Sequence, residues 1–266
     1  MNLTHVYALF LRQYYLVRDN PNRLVQIFAW TLFDIVLWGF ISKFLTTVSG
    51  ESVQFAPLFL GAIVVWNFII RVMHGVTIAF FEDLWARNFL NVFASPVTIA
   101  EYLAGLIVTG VITAFVGLLF MVFVVWLMFG LSIFIYGVYL VPFFFILFIS
   151  GVALGVFSAA IVLRYGPSTE WFIWSIPEAV APFVGVFYPL AILPLWMQTV
   201  GAALPPSYVF ESIRTIVVGG AVSPASLLVA FILSVGYCVL AFWYFKRVYN
   251  QATRGGLIAR YSAESV

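Results

Sequence analysis

The sequence predicts an all-α integral membrane protein with six transmembrane helices, an amphipathic N-terminal helix at the membrane face and a re-entrant helical hairpin before the last span. Three observations predict it. Hydrophobic residues make up 64% of the chain and charged residues 8%, whereas a soluble domain carries about 25% charged residues and needs them to cover its surface. Six apolar runs are long enough to cross a hydrocarbon core, which takes roughly 20 residues at ~30 Å. Between the second and third runs lies one short polar island, EDLWARNFLNVFASP, at 82–96.

Taken in order, the first 20 residues form an interfacial helix. Leu3, Val6, Tyr7, Phe10, Tyr14 and Val17 line one helical face, with His5 and Arg12 on the other. No apolar stretch there precedes a small-residue cleavage site, so no cleaved signal peptide is expected. Asp19-Asn20-Pro21 breaks the helix, and 24–44 is the first span. Spans follow at 55–81, 97–129, 136–163, 171–188 and 224–245, all in a single transmembrane domain. The second and third exceed the bilayer thickness and must tilt or extend into the headgroups. The stretch 189–220 is too apolar for a solvated loop, yet Pro194, Pro205, Pro206, Glu211 and Arg214 interrupt it. Irregular backbone survives at membrane depth only where protein or a water-filled cavity covers it. The expectation is two short helices dipping back from the outer face.

Lysine and arginine placement sets the orientation. With the N-terminus inside, Arg12, Arg18, Arg23, Arg87, Arg164, Lys246, Arg247, Arg254 and Arg260 flank the cytoplasmic ends. Only Lys43 and Arg214 fall outside, and Arg71 lies within a span. Both termini are therefore expected in the cytoplasm of a cell whose plasma or inner membrane holds the protein.

In the polar island, Trp85, Phe89, Val92 and Phe93 recur at helical spacing, with Arg87, Asn88 and Asn91 opposite. Glu82 and Asp83 sit where carboxylates favour a helix N-terminus, and Pro96 ends the segment. Ser95, or Thr98 paired with Glu101 in a capping box, starts the next helix. The residues alone fit either a structured turn or a docking element.

Two stretches carry a family resemblance. The run from Arg87 through SPVTIAEYLAG, at 95–105, resembles the cytoplasmic turn of the type-2 ATP-binding-cassette (ABC) exporter permeases. LPLWMQTVGAALPPSYVFESIR, at 193–214, is similar to that family's segment between the last two spans. With the six-span hydropathy, the resemblance covers essentially the whole chain. It implies that 82–96 is a coupling helix resting in a groove of a separate ATPase, with Asp83, Trp85, Arg87, Phe89, Leu90, Val92 and Phe93 at the contact. It also implies two ATPase subunits carrying ATP and Mg²⁺, and a second permease copy, identical or related.

Elements of enzyme chemistry are sparse. The two lysines, Lys43 and Lys246, do not follow a glycine, so no phosphate-binding P-loop is encoded and ATP use is assigned to another polypeptide. His5, His74 and the single Cys238 do not make a usual zinc set, and no G-x-S-x-G elbow occurs. No cofactor is expected on this chain, and a net charge of +2 gives no nucleic-acid signature.

Charges within spans are the remaining signals. Asp34 lies 11 residues after Arg23 and Arg71 11 residues before Glu82, so both sit roughly 16 Å from one boundary. A buried ion needs a partner, and the expectation is an Asp34–Arg71 pair, either a packing clamp or part of the translocation path. Glu178, between Pro177 and Pro182, is expected to face the protein interior. Glu211 and Arg214, three apart, are expected to pair near the outer interface, either as a gate or as an ordinary hairpin contact. Gly151 and Gly155 permit close helix approach.

Three functional classes follow: an ATP-driven exporter permease, an ion-coupled carrier using Asp34 or Glu178, and an intramembrane enzyme, which the missing nucleophile and metal sets disfavour. The short outer loops are unlike the macrolide-type exporters with their large outer domain, and within the resembled family the SPVT turn looks closer to exporters of drugs or lipids than to those of lipid-linked polysaccharides. A hydrophobic or amphiphilic substrate is thus preferred over a lipid-linked glycan.

Overall fold

A computed structural model describes residues 1–19, 21–49, 55–86, 88, 91–92 and 95–255, with backbone alone at 21–24, 26–27, 167 and 172. Nine α-helices are described: α1 (Leu3–Arg18), α2 (Pro21–Val48), α3 (Phe55–Trp85), α4 (Ile99–Phe129), α5 (Leu140–Tyr165), α6 (Glu170–Val184), α7 (Leu195–Ala203), α8 (Pro205–Val217) and α9 (Pro224–Arg254). A 3₁₀ turn, Ile133–Tyr139, leads into α5. No strand occurs among the described residues.

Five segments are long and apolar enough to cross a membrane: 28–48 within α2, α3, α4, 133–165 ending with α5, and α9. The predicted fifth span is shorter than expected, because α6 has 15 residues and stops at Gly185, in the left-handed region at φ 65°. At 1.5 Å per residue such a helix reaches roughly 22 Å, short of the ~30 Å core. The other boundaries shift by a few residues, the largest being α9, which continues to Arg254 rather than 245. Two short helices, α7 and α8, do occupy the stretch 189–220.

The bundle is built on α3. In their most apolar windows α3 and 133–165 are 67% and 72% buried, against 22% for α2 and for α9, so α3 and α5 are the core and the others clad it. Lipid tails are as apolar as leucine, so helices in a bilayer associate through close packing of small residues rather than through expulsion of water. Glycine supplies that here. A β-carbon at Gly75 would stand 2.4 Å from the Gly110 Cα, so α3 and α4 cross main chain to main chain. At Gly151 and Gly155 it would stand 2.7 Å from Val72 Cβ and 2.8 Å from Val76 Cβ. The predicted glycine pair thus serves the α5–α3 contact within the protomer. Ser150 and Ser234 share a hydrogen bond at 3.0 Å that ties α5 to α9.

The α1 helix docks on α3 and α4 by a side that shares only Val6 of its buried residues with the predicted apolar face. Val6, Leu9 and Gln13 are buried, while Leu3, Tyr7 and Tyr14 of the predicted apolar face point outward. Leu9 seats over Gly105 of α4, where a β-carbon would come within 2.7 Å of Leu9 Cβ. His5 and Arg12, expected on an outer polar face, turn toward the bundle.

Candidate functional site at the junction of α3 and α4

The junction is organised by acids that end α3. The α3 helix runs through Trp85, so Glu82 and Asp83 lie in its last turn and not at the start of a separate helix. This corrects the expected boundary at 82. Carboxylates are disfavoured at a helix C-terminus by the macrodipole, and their burial to 9% and 2% exposure makes pairing obligatory. The neighbours meet that need. Arg12 of α1 donates to Asp83 Oδ1, the Tyr102 hydroxyl of α4 donates to Asp83 Oδ2 at 2.7 Å, and Asn88 Nδ2 donates to Oδ1 at 3.3 Å. With its nitrogen turned toward Glu82, the Gln13 amide donates to Oε2 at 2.6 Å and accepts from Arg12 at 3.1 Å.

A second acid fastens the start of α4. Thr98 caps the helix and Glu101 completes a capping box, one of the two starts the sequence allowed. Glu101 Oε2 accepts from the Thr98 N–H at 3.0 Å and pairs with His5 Nδ1 at 3.0 Å. Its other oxygen accepts from the Asn2 N–H. The α1 helix therefore grips both ends of the 86–98 connection, at Asp83 through Arg12 and at Glu101 through His5.

Of the residues expected to contact an ATPase, Asp83 is buried in this network and serves the protein's own packing. Val92 is likewise buried, in the core, which corrects its expected place on an outward apolar face. Trp85 is half-exposed and stacks on Phe81 with ring centroids 5.4 Å apart. Arg87, Phe89, Leu90 and Phe93 lie outside the described residues. The Val92 N–H bonds the Asn88 carbonyl at 3.0 Å.

A second polar cluster lies within the bundle. Asn67, Arg71 and His74 share one face of α3, and Asp34 of α2 stands close to Asn67 and within electrostatic reach of Arg71. Arg71 lies across Gly117 of α4, where a β-carbon would meet its guanidinium carbon at 2.8 Å. His74 packs on Trp174 of α6 at 4.4 Å between ring centroids. Sequence reasoning found Asp34 and Arg71 by their charge but not Asn67, His74, Gly117 or Trp174, which carry no comparable signal.

The third group behaves unevenly. Arg214 donates to Glu211 Oε1 at 3.0 Å, the pairing their spacing leads one to expect. The same oxygen accepts the Leu190 N–H at 2.8 Å, tying α8 to the turn after α6. Glu178 is exposed on α6. This corrects its expected interior position, since the neighbouring Pro177 takes the buried side. Among the described residues no group of three His, Cys, Asp or Glu side chains is placed to hold a metal ion.

Neither a protein-family model nor a curated protein matches this chain. The architecture defines the class: an all-helical, multi-pass membrane protein with a buried charge network at the junction of its third and fourth helices.

Proposed function

We propose that this chain is the transmembrane permease subunit of an ATP-driven ABC exporter. In this reading two permease copies enclose the pathway, two separate ATPase subunits hold ATP and Mg²⁺, and both termini face the cytoplasm of the cell membrane. The six-span arrangement counts α6 with its following turn as the fifth crossing and α7–α8 as a re-entrant hairpin.

The observation that carries the reading is the junction itself. The connection that follows the half-exposed Trp85 is held at both ends by ion-paired carboxylates, Asp83 and Glu101, which join it to α1, α3 and α4. Force applied there is passed to three helices at once. A solvated turn with no load to transmit has no need of buried charges, which cost several kcal/mol each to desolvate. The sequence resemblance and the missing P-loop support the same assignment. The preferred substrate is a hydrophobic or amphiphilic molecule, ahead of a lipid-linked polysaccharide.

The intramembrane cluster at Asp34 favours a second reading, an ion-gradient-driven carrier. Reconstitution separates the two. Transport that needs a co-purified ATPase and stops without ATP supports the permease. Transport by this chain alone under an ion gradient refutes it. Within the first outcome, Trp85→Ala and Phe89→Asp are expected to leave the protein inserted but uncouple hydrolysis from substrate by removing the apolar knob. Unchanged coupling in both would count against docking through this connection.

A further inference from the structure

We propose that the adjoining ends of α5 and α9 form a binding site for the phosphate headgroup of an anionic phospholipid, independently of what the protein transports. The last turns of α9 are two-faced. Ala241, Phe245, Val248 and Ala252 are buried against the bundle. Trp243, Lys246, Arg247, Asn250, Gln251 and Arg254 recur at helical spacing on the opposite face and line one open recess. The end of α5 adds Arg164, whose guanidinium donates to the Tyr244 hydroxyl at 3.4 Å and lies 5.3 Å from the Tyr165 ring. Arg247 lies 5.7 Å from the Trp243 ring centroid.

Four cations thus gather at one end of two neighbouring helices. Among the described residues none of them meets a carboxylate, and the sequence has no acid between Glu211 and Glu264. The two helix C-termini add negative dipole ends, which favour the cations but leave their outward charge unanswered. A phosphate answers it, because guanidinium groups bind phosphate oxygens in bidentate fashion.

Depth and continuity select a lipid over an acidic protein surface. On the same outward side, α9 presents exposed Ile232, Val239 and Leu240, then exposed Trp243, then Lys246 and Arg247. Tryptophan marks the membrane interface, and Lys246 and Arg247 follow it by roughly 4.5–6 Å along the axis, the depth of the headgroup layer. One side of α9 therefore meets acyl chains, the carbonyl level and the phosphate of a single lipid in turn. Asn250 and Gln251 supply further donors and acceptors beyond the phosphate.

The test uses the full chain in detergent, equilibrated with equal amounts of phosphatidylglycerol and phosphatidylcholine, with retained lipid counted by native mass spectrometry. Wild type is expected to hold phosphatidylglycerol selectively. Lys246→Gln with Arg247→Gln should lower that selectivity about fivefold for each cation removed, and Arg164→Gln should lower it from the α5 side. Lys43→Gln, at the end of α2, should leave it unchanged. Wild type without preference for phosphatidylglycerol overturns the proposal, as does full selectivity in both the α9 double variant and Arg164→Gln. Capture of an acidic partner protein by this face, with lipid selectivity unaltered by the substitutions, overturns it too. Each readout is obtained without ATPase or substrate, so its failure is distinct from failure of the transport reading.

Discussion

The carboxylates at Asp83 and Glu211 do similar work in different surroundings. Asp83 is 2% exposed and accepts from side chains of α1, α4 and the following connection. Glu211 is 41% exposed, pairs with an arginine on its own helix and takes one backbone N–H. The first joins segments 71 and 19 residues away, and the second mostly secures a local turn. A buried acid with several distant partners fixes geometry, because leaving any one of them unpaired is expensive. A pair on one helix whose carboxylate is 41% exposed is cheaper to break, because water can reach that carboxylate. The junction is therefore a rigid joint and the hairpin contact an adjustable one.

That contrast can be broken in order of effect. Asp83→Ala, which strands Arg12, Tyr102 and Asn88, should destabilise the protein by about 3–5 kcal/mol, read as a large fall in the thermal unfolding midpoint in lipid nanodiscs. A small change would show that the network is not stabilising. Tyr102→Phe removes one hydrogen bond to a buried charge and should cost about 1.5–3 kcal/mol by the same measurement. For the intramembrane cluster, Asp34→Asn and Arg71→Gln, singly and together, should be non-additive by about 1 kcal/mol or more. Additivity in both stability and transport would show the two charges to be uncoupled. Glu211→Gln should cost less than about 1 kcal/mol, and a loss matching that of Asp83→Ala would erase the distinction between the two joints.

Local spacing made part of this legible. Thr98 and Glu101 announced their capping box at three residues' separation, and Glu211 and Arg214 announced their pairing in the same way. Span positions followed from apolar length wherever nothing cut the helix short. What spacing could not supply was the identity of partners across the fold. The periodicity of α1 separates its faces, but only tertiary structure shows that His5 and Arg12 point at acids and that Tyr7 and Tyr14 look outward. Glu82 and Asp83 misled for a related reason. The helix dipole favours acids at an N-terminus, but Arg12, Tyr102 and Gln13 offset the opposing field and let α3 continue to Trp85. The end of α6 was missed because Gly185 stops it while the composition remains apolar.

Where Gly75 meets Gly110, no side chain separates α3 from α4, so the crossing is a fulcrum. Trp85 lies ten residues beyond it and Phe55 twenty before it, giving lever arms of roughly 15 and 30 Å in a rigid helix. A tilt that shifts the junction by a given distance would swing the far end of α3 about twice as far.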